Sequence, residues 1–245
     1  ESIRSTAKDD LWNSGFHYGD WLFYRPEDDN SGMAAVTDKY LIAQCFYAHS
    51  VQLLINAANV LGITEDAASY SILLGRIKEA FMEEYVTPGG RLVSGTQTAY
   101  VLALNFDMLP EPLREQAADR LVANVKSYGH LTTGFLGTPY LCHVLSRFGH
   151  TDLAYDLLLR KKYPSWLYPV TMGATTIWER WDGQKPDGTF QTPGMNSFNH
   201  YAYGAIGDWM YRVVAGLDTR EEGAGYKHST IKPHLGGGLT NVSAS

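Results

Sequence analysis

A glutamate set between two tryptophans and beside an arginine is the feature of this 245-residue sequence best suited to acid–base chemistry. The order is Trp178-Glu179-Arg180-Trp181-Asp182, inside the run Gly173 to Gly183. Apolar rings dehydrate a carboxyl and raise its pKa, an arginine opposes that shift, and a catalytic acid or base needs such tuning. The plainer reading is a surface glutamate ion-paired to Arg180, although tryptophans are odd company for such a pair. Gly19-Asp20-Trp21, preceded by Phe16-His17-Tyr18, is a second candidate. Its ring could stack on a sugar while its carboxylate accepts hydroxyl hydrogen bonds. A turn aspartate beside a packing tryptophan accounts for it equally well. The third is Asn196 to Gly204, where Asn199, His200 and Tyr201 would present polar tips near the start of a helix capped by Ser197. A lone histidine in a helix is more often structural.

Other chemistries find less support. Asp182 and Asp187-Gly188 share a loop, but not at the spacing of a calcium loop. The eight histidines include no His-Glu-x-x-His, and no cysteine pair has zinc spacing, so neither metal nor cofactor is expected. Gly134-Phe135-Leu136-Gly137-Thr138 lacks the lysine of a phosphate loop, and no Gly-x-Ser-x-Gly elbow occurs. Cys45 and Cys142 sit in apolar, helix-like stretches and read as small core residues. A net charge of −6 gives no footprint for nucleic acid, and no apolar run is long enough to span a membrane. Glu1-Ser2-Ile3-Arg4 does not read as a signal peptide and has no initiator Met, so the chain is expected to be a fragment or a processed product. Nothing assigns a compartment. With 6 Trp, 16 Tyr and 9 Phe, the aromatic content leans slightly toward carbohydrate, though most rings should be core.

These candidates must be held by helices. Residues 1–36 read as irregular. Leu41, Cys45, Ala48, Val51, Ile55, Ala58 and Leu61 then recur at steps of three and four, and Gly62 ends the stripe. A second helix follows the Thr64-Glu65-Asp66 cap signal, with Ile72, Ile77, Ala80 and Phe81 inward, and stops before Pro88-Gly89-Gly90. Further helices are expected over about 96–109, 110–128, 139–148, 151–161 and 197–217. Residues 163–193 read as a long loop. Short links make consecutive helices antiparallel neighbours, and no Val/Ile-rich strands alternate with them. An all-α array or barrel of helical hairpins follows. Beyond Gly223 the character changes: Lys227 to Pro233 and Gly236-Gly237-Gly238 look like a linker entering a β-strand.

Taken in order, several motifs form a recognisable set. They are Gly19-Asp20-Trp21, Thr37-Asp38-Lys39, Thr96 to Tyr100, Gly129 to Phe135, Gly137-Thr138-Pro139-Tyr140, Gly173 to Trp181 and Asn196 to Tyr203. Together they resemble bacterial α-L-rhamnosidases of glycoside hydrolase family 78 over roughly residues 11–235. The resemblance implies an all-α fold, a partial (α/α)6 barrel over residues 1–222, with 223–245 as linker and start of a C-terminal β-sandwich. It implies inversion of configuration, with Glu179 as the general base. His200, Trp21, Asp20 and Trp178 are then expected to bind substrate, with Trp21, Glu179 and His200 facing one cavity. The implied partner is a rhamnose-containing glycoside or polysaccharide.

One departure matters. The family's general acid lies in an Asp-Glu-Arg-rich segment ending near Gly-Trp-x-Gly-Asp, and nothing in this sequence matches it. The helices read here number about seven, short of six full hairpins. The N-terminal barrel helices and the β-domain of a longer parent chain are therefore expected as structural partners. Two other readings stand beside this one: a trehalase-like or glucoamylase-like hydrolase on the same barrel, and a non-catalytic carbohydrate-binding scaffold.

Overall fold

The computed structural model describes residues 2–25, 35–220, 223 and 225–244. Within the segment read as irregular, residues 1 and 26–34 lie outside the described residues, as does Glu222 at the expected domain boundary. A short helix α1, Ser2–Thr6, corrects the irregular reading at the start.

The long hairpin is α2 (Lys39–Leu61) and α3 (Thr64–Tyr85), which pack along each other. Asp38 caps α2: Oδ1 accepts from the backbone N–H of Tyr40 at 2.7 Å and of Leu41 at 2.9 Å. Gly62 ends it with φ of 72°, which only glycine adopts at little cost. The expected stripe is buried except Leu61, which is exposed in the last turn. In α3 the inward face is Leu73, Leu74, Ile77, Phe81 and Tyr85. Ile72, expected inward, lies on the outer face and is 65% exposed. Thr64 is itself helical, and Ile63 before it supplies no side-chain cap.

Helix α4, Gln97–Asn105, is buried from Gln97 to Leu104. An amphipathic stripe would leave one face polar, so burial all round marks α4 as the hub. It packs against α5 (Glu111–Tyr128) and α6 (Thr138–Arg147), and α6 packs against α7 (Thr151–Leu159). Gln97 satisfies its buried amide on the next loop: Nε2 donates to the His130 carbonyl at 3.0 Å and Oε1 accepts from Thr132 N–H at 2.8 Å. Cys45 and Cys142 are buried and unbonded, as core residues should be. Among the described residues no helix is long and apolar enough to cross a membrane.

A further short helix, α8 (Leu167–Thr171), interrupts the expected loop. The final helical run begins at Ala202, not Ser197. It passes through a 3-10 turn (Ala202–Ala205), an α-helical turn α9 (Ile206–Trp209) and a π-helical stretch (Met210–Val214). Ser197 instead accepts from Asn199 N–H at 3.2 Å, which closes a local turn. Strand β1 (Leu217–Thr219) follows and pairs antiparallel with β2 (Ser229–Ile231), in the register Leu217↔Ile231. The glycine-rich tail then packs on α7: a Cβ on Gly236 would stand 2.6 Å from the Tyr155 ring, and the Tyr155 hydroxyl donates to the His234 carbonyl.

Candidate functional site

Asp20, Trp21, the 134–137 loop and the 177–200 segment meet on one side of the hub helix. Asp20 is 5% exposed. Its Oδ2 accepts from the Thr98 hydroxyl at 2.5 Å and Gly134 N–H at 2.8 Å, and its Oδ1 from Leu136 N–H at 2.8 Å and Gly137 N–H at 3.2 Å. Burial pushes this carboxyl above its ordinary range, and the four donors pull the other way. Trp21 is 37% exposed, and its carbonyl accepts from Phe135 N–H at 2.9 Å. Gly134 lies so close that a Cβ there would be 2.2 Å from the Trp21 carbonyl oxygen. On the far side, the Tyr203 hydroxyl donates to the Leu22 carbonyl at 2.8 Å, and Leu22 is held at a φ of 54°.

The loop from Gly173 to His200 doubles back on itself. A turn at Asp187-Gly188 is closed by Asp187 Oδ1, which accepts from Thr189 N–H at 2.9 Å and the Thr189 hydroxyl at 2.7 Å. The returning chain then bonds the outgoing one: Gln191 N–H to Gly183 O at 3.1 Å, Glu179 N–H to Ser197 O at 2.9 Å, and His200 N–H to Ile177 O at 2.8 Å. Glu179 and His200, well separated in sequence, are thus on adjacent segments.

Glu179 is partly buried, and its Oε2 accepts from Ser197 N–H at 2.8 Å. Its other carboxylate oxygen has no hydrogen-bond partner among the described residues. Arg180 turns to Asp182 instead, Nε to Oδ1 at 3.1 Å, and the second Asp182 oxygen accepts from Gln191. The two flanking tryptophans face opposite partners. Trp178 is buried edge-on to Phe198 at 5.1 Å, while Trp181 stacks on Tyr203 at 3.7 Å and donates to Thr133 O at 3.2 Å. His200 stacks on Phe135 at 5.0 Å and on Tyr201 at 4.9 Å, and its Nδ1 accepts from Ala202 N–H at 3.2 Å.

Trp21 borders two cavities. One, of about 680 Å³, is mainly apolar, with Trp12, Tyr18, Phe135, Met195 and Tyr201 in its wall. The other, of about 180 Å³, is more polar and includes Tyr24, Arg25, Tyr163, Arg180 and Asp182. Glu179 and His200 line neither directly. Each adjoins a lining residue, Arg180 and Tyr201 respectively. Trp178 and Asp20 are behind the surface. Phe135 is the residue whose role the sequence reading passed over: it joins Trp21, through the backbone, to the ring of His200. The two glycines around it, Gly134 and Gly137, were the available signal. Among the described residues no group of His, Cys, Asp and Glu could hold a metal ion.

Residues 1–214 match the model of the bacterial alpha-L-rhamnosidase 6 hairpin glycosidase domain. The chain belongs to this family. It is 48% identical over 229 residues to an alpha-L-rhamnosidase of Streptomyces avermitilis, covering 93% of this chain and 21% of the relative. A second alpha-L-rhamnosidase, from Formosa agariphila, is 42% identical over 99% of this chain and 26% of its own. The crystal structure of the Streptomyces avermitilis enzyme complexed with L-rhamnose superimposes with a TM-score of 0.87 at 46% identity, over 97% of this chain and 22% of that one. The alpha-L-rhamnosidase of Aspergillus terreus gives 0.84 at 36% identity, over 91% and 26%. The chain therefore spans about a quarter of the length of these relatives. Its mostly helical fold with a small terminal sheet is that of the family's six-hairpin domain. Neither the trehalase-like or glucoamylase-like reading nor the non-catalytic scaffold is favoured by these similarities.

Proposed function

We propose that these residues form part of the catalytic domain of an inverting α-L-rhamnosidase that removes terminal, non-reducing α-L-rhamnose from glycosides or polysaccharides. The observation that carries this reading is the carboxylate of Glu179. It is oriented by Ser197 N–H through one oxygen, while the other is left without a partner among the described residues. A general base needs that arrangement: a fixed carboxylate with a free lone pair to take the proton of the attacking water. The cation next to it in sequence, Arg180, is turned to Asp182 at 3.1 Å and does not hold the Glu179 carboxylate in an ion pair. The rhamnose in the Streptomyces avermitilis crystal supports a rhamnoside as the substrate. On this reading the exposed ring of Trp21 stacks on the sugar, and His200 takes a sugar hydroxyl. Trp178 contributes by packing behind Glu179. Residues 1–222 are assigned to the helical domain and 223–245 to the start of a β-sandwich, with the β1–β2 pair straddling that boundary.

Inversion requires a general acid ~6.5–9.5 Å from the base, leaving room for water. No segment of this sequence matches the family's acid-bearing run, so a polypeptide of these 245 residues alone is proposed to be inactive. The test uses the full-length gene product. Glu179→Gln should retain rhamnoside binding and lower turnover of p-nitrophenyl α-L-rhamnoside by roughly 10²–10⁴. Proton NMR should detect the β-anomer of rhamnose first. Near-normal turnover in the variant removes Glu179 from the mechanism, and the α-anomer appearing first removes inversion.

A further inference from the structure

We propose that Asp20 is a positioning residue, whose buried carboxylate fixes Trp21 and, through Phe135, His200, without touching the sugar itself. The inference rests on the rhamnosidase reading for its kinetic readout and on geometry for its argument. All four acceptor positions of the carboxylate are filled from inside the protein, by Thr98, Gly134, Leu136 and Gly137. At 5% exposure it has neither a free lone pair nor surface to offer a substrate hydroxyl. What it does reach is informative. Thr98 belongs to the hub helix α4, whose residues from Gln97 to Leu104 are buried. The three backbone donors belong to the loop leading into α6. Asp20 thus ties its own turn at once to a helix 78 residues away in sequence and to a loop 114–117 residues away. Trp21 is the next residue, and its carbonyl closes the ring of bonds by accepting from Phe135 N–H at 2.9 Å. The Phe135 ring then stacks on His200 at 5.0 Å with an interplanar angle of 27°.

The donor pattern makes the carboxylate hard to replace. In Asp20→Asn, the NH2 group must occupy one of the two oxygen sites. On the Oδ1 side it opposes the N–H groups of Leu136 and Gly137. On the Oδ2 side it opposes Gly134 N–H, even if the Thr98 hydroxyl turns to accept. Either orientation sets donor against donor in a buried place, so the turn should move and take Trp21 with it.

The experiment measures KM and kcat for p-nitrophenyl α-L-rhamnoside in the full-length gene product. Asp20→Asn should raise KM roughly tenfold or more while kcat changes less, as Trp21→Ala should. The double variant should be little worse than either single one, since both act through one contact. Thr98→Val should shift KM in the same direction by less, and Thr98→Ser should restore it. A folded Asp20→Asn with wild-type KM, or a double variant whose effects simply add, overturns the proposal. Should Asp20→Asn not fold, the Thr98 pair decides: a wild-type KM in Thr98→Val overturns it. Should the wild type hydrolyse no rhamnoside, the functional reading fails separately. Asp20 is then judged by acrylamide quenching of the Trp21 fluorescence, taken as the difference from Trp21→Phe. That quenching should change in Thr98→Val, and an unchanged value overturns the positioning role.

Discussion

The hairpin of α2 and α3 and the wall around Trp21 each bring separate segments together, yet different forces hold them. In the hairpin, each helix makes its own backbone hydrogen bonds, and what joins the two is mainly apolar surface, Leu41, Val51 and Ile55 with Leu74, Ile77 and Phe81, beside the buried bond from Gln44 Nε2 to the Ile77 carbonyl at 3.2 Å. Burying such side chains is worth roughly 1.5–3 kcal/mol each and is insensitive to small shifts in angle. In the wall, segments remote in sequence are joined by polar bonds with fixed directions: the four donors on Asp20, the Trp21–Phe135 backbone bond, the Tyr203–Leu22 contact and the pairing of 177–183 with 191–200. A buried polar bond contributes about 1 kcal/mol when made and costs more than that when one partner is left alone. The hairpin is therefore a stability element and the wall a precision element. Their variants should fail in different ways.

The largest expected effect lies in the hairpin. Phe81 is fully buried in α3, and Phe81→Ala should cost about 3–5 kcal/mol of unfolding free energy through lost burial and the cavity left behind. The molecules that remain folded should keep wild-type KM, measured below the melting transition. A raised KM would mean that the two regions are not separable. The next effect lies in the wall. Gly134→Ala places a Cβ 2.2 Å from the Trp21 carbonyl oxygen and 2.7 Å from Phe23 N. Backbone must move, at about 1–3 kcal/mol. Here the smaller loss of stability should come with the larger rise in KM, the reverse of Phe81→Ala. Wild-type KM in Gly134→Ala would remove the distinction.

The smallest effect is a pH dependence that samples both regions. Burial lowers the pKa of His49 in α2, of His130 beside the wall, and of His143 in α6 despite Asp208 at 2.9 Å. In the unfolded chain these groups take up protons near the ordinary value of 6.5, and in the folded chain only at lower pH. Just below 6.5 the unfolded state thus binds more protons, so stability is complete above that value and declines as pH falls below it. Thermal melts of the full-length gene product across this window should show the decline, and replacing the three histidines by glutamine should flatten it. An unchanged slope would assign the decline to carboxylates.

The same contrast explains what could be read before any coordinates. The α2 stripe and the Gly62 stop are local: a period of 3.6 and one terminal residue specify them. Errors appear where a residue has two local options. Ser197 has the chemistry of a helix cap, but its hydroxyl closes a turn on Asn199, and the helical run waits until Ala202. Ile72 fits the apolar spacing of α3, yet Leu73 and Leu74 take the inward face. In the wall, the candidates were visible by type, but not their roles. Asp20 and Trp21 are adjacent in sequence, and one is sealed inside while the other borders two cavities.

The sequence by itself determined the hairpins, because helical periodicity and caps act over a few residues, and it pointed to the family, because its motifs occur in a fixed order. It also marked Glu179 as a carboxyl in unusual company. Only the tertiary structure decided what that company does: Arg180 turns to Asp182, Trp181 stacks on Tyr203, and Ser197 N–H orients the Glu179 carboxylate. It also decided that the Asp20 carboxylate is spent inside the protein. The reason is directional. A hydrogen bond or a ring contact requires a distance and an angle between groups brought together by the whole fold, and no local pattern of residue types encodes either.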